Sequence, residues 1–260
     1  SPDGTRILTG SDDLESTGKL WDAETGELLH TFRFFTRITT VAFSADGSKL
    51  LMGGLHFQEY VRVHQAIAPY SMISELSTSA ACAVFSPDSE EILIGRWDET
   101  ATRWDADTGQ LLQTYVVGHH STVEEYSGSV NAVAFTPDGT HFVSGGWDAT
   151  AKLWNLSTGA LVRTFTGHVE HQFGNGEGVT SLAVSADGEF LLTGADDATA
   201  KVWDLDTGNV VRTFSGHAYL NGYNGVRSVA FSPDETRILT GAGDHSVREW
   251  QVSTGAVLST

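Results

Sequence analysis

Cysteine is almost missing from this chain. Cys82 is the single one, so no internal disulfide can form, and a reducing compartment, the cytoplasm, is the expected location. Basic residues are scarce as well: 15 Lys and Arg stand against 33 Asp and Glu, for a formal charge of −18. That balance leaves no cationic face to hold a phosphate backbone, so nucleic acid is not an expected partner. No apolar run approaches the ~18 residues of a membrane-spanning helix, and direct membrane insertion is not expected. Phosphate-binding glycine loops, paired histidines at helical spacing and calcium-loop carboxylates are all lacking, so no cofactor and no metal are anticipated. What the 260 residues do contain is 40% hydrophobic side chains, 28 glycines and 7 tryptophans. That is ample for a core, and it excludes a disordered chain.

The organisation lies in an internal repeat. Ser1-Pro2-Asp3-Gly4 returns as Ser44-Ala45-Asp46-Gly47, Ser86-Pro87-Asp88-Ser89, Thr136-Pro137-Asp138-Gly139, Ser185-Ala186-Asp187-Gly188 and Ser232-Pro233-Asp234-Glu235. The starts lie 43, 42, 50, 49 and 47 residues apart. Proline presets φ at the second turn position, and Asp and Gly suit the rest, so each copy reads as a tight hairpin turn. Short strands flank it, such as Val130-Asn131-Ala132-Val133-Ala134-Phe135 and His141-Phe142-Val143-Ser144-Gly145. A third strand carries Lys152-Leu153-Trp154, and a fourth follows Ser157-Thr158-Gly159. Four short strands per unit, with turn signals between them, predict an all-β fold.

Two further motifs carry a family resemblance. The third strand closes on Trp21-Asp22, Trp104-Asp105, Trp154-Asn155, Trp203-Asp204 and Trp250-Gln251, and Gly-His stands ahead of the first strand at Gly118-His119, Gly167-His168 and Gly216-His217. The chain resembles the WD40-repeat family along its whole length, and its regular turns look prokaryotic. The resemblance implies a β-propeller of four-stranded blades. One domain over residues 1–260 is expected, with repeats at approximately 1–35, 36–78, 79–128, 129–177, 178–224 and 225–260. The first lacks its inner strand. The second is degenerate, with Met52 for Ser/Thr and Val63-His64 for Trp-Asp. Because the chain opens at a turn, it is expected to be a piece of a longer protein whose ring has seven blades, and a secreted or periplasmic location stays open.

His119, Ser144, Asp148 and Trp154 recur in register as His168, Thr193, Asp197, Trp203 and as His217, Thr240, Asp244, Trp250. Hydroxyl, imidazole and carboxylate are also the parts of a hydrolase triad. A set repeated in every well-kept blade is, however, unlike an active site. The resemblance implies a structural tetrad in which His links Asp to the hydroxyl and the hydroxyl reaches the indole.

Function is then expected where the repeat is broken. The first strand's leading valine lies eleven, eleven and nine residues after His119, His168 and His217, at Val130, Val179 and Val226. These enlarged loops hold Tyr126, Phe173, Tyr219 and Tyr223, rigid aromatics among Gly, Asn and Ser, a composition suited to recognition. Trp97 and Trp147 precede Asp98 and Asp148 where other units place Asp12, Asp196 or Gly243, so packing does not demand tryptophan there. Arg96, Arg37 and Arg227 are expected to add ionic contacts. The sequence thus reads as a non-enzymatic scaffold that presents loops to a protein partner. Two alternatives are a structural subunit packed through its blade sides and a ligand-sensing propeller fused to an effector domain.

Overall fold

In a computed structural model of the chain, residues 1–11, 16–34, 37–55, 60–120, 128–169, 178–218 and 225–260 are described. They hold twenty-three β-strands and no helix. They fall into two compact units, Ser1–Arg96 with Thr100–Tyr115, and Trp97–Glu99 with Val116–Thr260.

The first unit opens with a three-stranded sheet, β1 (Arg6–Gly10), β2 (Thr17–Asp22) and β3 (Leu28–Arg33). A complete blade follows: β4 (Arg37–Phe43), β5 (Lys49–Leu55), β6 (Val61–Gln65) and β7 (Met72–Leu76). A third blade has β8 (Cys82–Phe85), β9 (Glu91–Gly95), β10 (Thr100–Asp105) and β11 (Leu111–Val116). In the second unit the fourth blade has β12 (Val130–Phe135), β13 (His141–Gly146), β14 (Thr150–Asn155) and β15 (Leu161–Thr166). The fifth has β16 (Val179–Val184), β17 (Phe190–Ala195), β18 (Thr199–Asp204) and β19 (Val210–Ser215). The sixth has β20 (Val226–Phe231), β21 (Arg237–Ala242), β22 (Val247–Gln251) and β23 (Val257–Ser259). Each sheet is an antiparallel meander in chain order, as in WD40-type β-propeller blades.

Local chemistry sets the hairpins. In the turn before β13, the Thr136 hydroxyl donates to Asp138 Oδ1, which also accepts the Thr140 N–H at 3.0 Å. Gly139 closes the turn by donating its N–H to the Thr136 carbonyl at 2.9 Å. The fourth turn position takes a positive φ in every copy, at Gly residues and also at Ser89 (65°) and Glu235 (55°). The turn after the third strand is built by the residue that follows tryptophan. Asp22, Asp105, Asn155 and Asp204 each accept the N–H and the hydroxyl of Thr25, Thr108, Thr158 and Thr207 at 2.7–2.9 Å. The Asp of Trp-Asp is therefore a turn cap.

The core lies between sheets within each unit. In the second unit the inner strands β12, β16 and β20 pack in sequence. Val143, Leu153, Phe165, Leu191 and Trp203 form one cluster there, and Leu192, Phe214, Val226, Ile238 and Trp250 the next. The degenerate second blade is nonetheless a full four-stranded sheet. His64, in the tryptophan position, packs 4.9 Å from the Phe32 ring, and its Nδ1 lies 3.2 Å from the Tyr70 carbonyl oxygen. Burial lowers the His64 pKa. Apolar and aromatic packing with Leu20, Leu50 and Met52 replaces the polar chain used elsewhere.

Candidate functional site

Three polar chains support one end of the second unit. In the fourth blade, Trp154 Nε1–H donates to Ser144 Oγ at 2.9 Å. Ser144 Oγ lies 2.9 Å from His119 Nε2, and His119 Nδ1 lies 2.8 Å from Asp148 Oδ1. The fifth blade repeats this with Trp203, Thr193, His168 and Asp197 at 2.8, 2.7 and 2.9 Å. The sixth uses Trp250, Thr240, His217 and Asp244 at 2.8, 2.7 and 3.1 Å.

Burial fixes the proton arrangement in the fourth blade. It lowers the His119 pKa, against the upward pull of Asp148. Burial alone would raise Asp148, but the hydrogen bonds and charges of His119 and Lys152 outweigh it and hold that carboxyl at about 2. A neutral His119 beside a charged Asp148 must carry its proton on Nδ1, so Nε2 accepts from Ser144. The hydroxyl therefore accepts a hydrogen bond from the indole N–H and donates one to the imidazole. His119 and Ser144 are wholly buried, as is Thr193. These hydroxyls face the core rather than solvent.

The tetrad aspartates also hold the roots of the enlarged loops. Asp197 Oδ2 accepts the Val169 N–H at 3.0 Å, and Asp244 Oδ2 accepts the Ala218 N–H at 2.8 Å. The returning ends are tied to the turn before each third strand. Trp147, Asp196 and Gly243 donate backbone N–H groups to the carbonyls of Ser129, Gly178 and Gly225 at 3.0–3.3 Å. Glu99 adds a clamp that sequence reading missed. One carboxylate oxygen lies 2.8 Å from His120 Nε2, and the other accepts the Gly128 N–H at 3.2 Å. Only packing brings these groups together, since Glu99 precedes the loop by two whole strands.

Among the other residues singled out, Trp97 is 41% exposed at the tip of the β9–β10 turn. Trp147 is half-buried at the matching tip of the fourth blade. Asp196, at that position in the fifth blade, is buried and lies 3.4 Å from Arg227 Nη1. Arg227 is thus engaged within its own unit. Arg37 is exposed at the start of β4, and Arg96 is half-buried at the end of β9. Tyr126, Phe173, Tyr219 and Tyr223 lie outside the described residues, as does Asp12. Among the described residues no group of three His, Cys, Asp or Glu side chains is placed to hold a metal ion.

Comparison with known proteins agrees with this architecture. The family model "WD domain, G-beta repeat" matches residues 109–155, 159–204 and 208–251, more than half of the chain. Curated relatives include eukaryotic translation initiation factor 3 subunit I of Phaeosphaeria nodorum, 33% identical over 126 residues, covering 44% of this chain and 37% of that protein. The proteins of the same name from Emericella nidulans and Neurospora crassa are 31% and 32% identical over 126 and 122 residues. They cover 44% and 42% of this chain and 37% and 35% of those proteins. The chain spans little more than a third of the length of the curated relatives it matches. With its repeated turns, tetrads and three matched repeats, the chain belongs to the WD40 family.

Proposed function

We propose that this chain is a non-enzymatic, protein-binding subunit of a multiprotein assembly in the cytoplasm, and that it engages a protein partner through the loop-bearing end of its blades. The observation that carries the reading is the rooting of three enlarged loops, side by side, two on the tetrad aspartates Asp197 and Asp244 and one on the Glu99 carboxylate. A rigid base lowers the ordering cost of binding. The exposed Trp97 and the half-buried Trp147 supply aromatic area at the same end of their blades, and truncating such a side chain in an interface costs about 2 kcal/mol or more. Tyr126, Phe173, Tyr219 and Tyr223 are the proposed loop anchors, with Arg96 and Arg37 as ionic contacts. The relatives named as subunits of a translation initiation factor support membership of an assembly.

A second reading, packing through the blade sides, has its own support. The fourth strands expose paired apolar residues: Leu161 and Val162 at 50% and 48%, Val210 and Val211 at 44% and 47%. Quantitative co-purification from the native source separates the two. Trp97→Ala with Trp147→Ala should deplete the partner, whereas Val210→Lys with Val211→Lys should not. The reverse pattern overturns the proposal.

A further inference from the structure

A cleft of about 300 Å³ opens between the fourth and fifth blades, at the end opposite Trp147. That volume is at the small end of the range for binding clefts, roughly 300–1,000 Å³. Leu153 and Leu205 are buried in its wall, and Val162 continues it onto the exposed outer strand. Three carboxylates, Asp138, Asp187 and Asp206, stand around it. Arg163 also lines it, with Nη1 donating to the Thr207 carbonyl at 2.9 Å, so three carboxylates face one guanidinium and the cleft is net negative.

In neighbouring blades, groups of one sheet reach across the matching space to the next. Between the fifth and sixth blades the Glu235 carboxylate accepts the Ala186 N–H and so bridges the two turns. In the first unit the residue that opens the second strand reaches across to the next sheet. Arg6 donates to the Ala66 and Gly47 carbonyls. Lys49 donates to the Ser89 carbonyl at 3.1 Å and pairs with Asp107 at 2.7 Å. Three substitutions undo this at the open cleft. Gly188 stands where Glu235 stands, and so carries no such carboxylate. Pro137 stands where Ala186 stands, and has no N–H to receive one. His141 stands where Arg6 and Lys49 stand, and its Nδ1 is held 2.7 Å from the Thr140 hydroxyl of its own turn.

We infer that this cleft is a second docking site, distinct from the loop-bearing end, for a partner-protein segment in which apolar side chains alternate with Lys or Arg. The apolar wall takes the aliphatic groups, and the three carboxylates face the cations. A second copy of this chain, carrying −18, would bring like charge to the rim. The site lies at the other end of the blades from Trp147, so the two docking hypotheses fail independently.

Fluorescence anisotropy with a short labelled peptide alternating Arg and Leu tests the site. Two controls replace Arg by Glu or Leu by Ser. The full chain should bind the first peptide saturably at one site, and both controls at least about tenfold more weakly, the loss expected when an anchor is removed. An added Cβ at Gly188 meets Pro137 Cδ at an ordinary 3.6 Å, and Glu235 already occupies the same positive-φ turn position. Gly188→Gln should therefore fold and should weaken binding by about tenfold through occlusion. Asp206→Arg, at an exposed position, should weaken binding without filling the cleft. Binding unchanged in both Gly188→Gln and Asp206→Arg, equal binding of a control peptide, self-association through this cleft, or no binding at all would each overturn the inference.

Discussion

Trp104 donates its indole N–H to the hydroxyl of Thr102, two residues earlier on the same strand, at 2.9 Å. The well-kept blades use a hydroxyl on the adjacent strand, but in the third blade that position is Ile94, directly opposite Thr102 in the β9–β10 register. One hydroxyl has moved across the sheet and still satisfies the same buried donor. Thr102→Val should destabilise the first unit by about 1 kcal/mol, the worth of one such bond. Adding Ile94→Thr should recover part of that loss, because it restores a hydroxyl on the adjacent strand. Urea unfolding followed by tryptophan fluorescence checks both.

Asp148 holds His119 on one side and Lys152 Nζ on the other, the latter at 2.9 Å. Asp148→Ala should leave the buried His119 imidazole N–H without its acceptor and remove the counter-charge of Lys152, whose Nζ keeps the Val117 and Gly118 carbonyls, at a cost of about 1–3 kcal/mol. Calorimetry should show a lower melting temperature. Partner capture well below that temperature should be unchanged, since the tetrad is buried support.

Glu99→Ala tests the loop clamp with little backbone penalty. Ala149 and Ala198 occupy the equivalent turn position in the next two blades at φ of 55° and 59°. Hydrogen exchange at the Gly128 amide should accelerate, because its acceptor is the Glu99 carboxylate. The Val117 amide, bonded to the Glu99 backbone carbonyl at 3.0 Å, should keep its protection. Equal acceleration at both would mean general loosening rather than loss of a clamp.

Acid should unfold the second unit in two stages. The fold lowers the His119 pKa, so the unfolded chain binds more protons below about 6.5 and stability begins to decline there. Asp148 and Asp197 are held at about 2, against an ordinary 3.8. Their contribution is complete above 3.8 and is lost as pH falls towards 2. A melting series from neutral to acidic pH should show both stages. Asp148→Asn should flatten the lower stage. It should also steepen the upper one, because His119 loses the charge that pulled its pKa upward.

Much of the blade was legible in the sequence because it is written in local rules. Ser-Pro-Asp-Gly dictates a turn from its own φ preferences, and period-2 strands follow on each side. The buried sets around Trp154, Trp203 and Trp250 keep one spacing from hydroxyl to Asp to Trp, which made their residues easy to align. Features that arise between strands were not legible. Asp22 and Asp105 read as the end of a strand, yet they cap the next turn, because their carboxylates meet the Thr N–H three residues on. Glu99 and Arg227 act on groups far along the chain, through packing that no spacing encodes. The open cleft depends on a comparison between neighbouring blades: Gly188 is unremarkable until Glu235 is seen to fill the same position.

The loop roots have one more consequence. A methyl group at Gly128 would overlap the His119 carbonyl oxygen, so the chain returns almost to the point it left. A segment whose ends are already pinned together pays only a slowly growing closure entropy, about 0.6 kcal/mol for each doubling of its length. The segments from 121 to 127, 170 to 177 and 219 to 224 can therefore be exchanged or lengthened as cassettes while the sheets beneath stay in register. On the proposed function, the blade stores the stability and the loops carry a specificity that can drift independently of it.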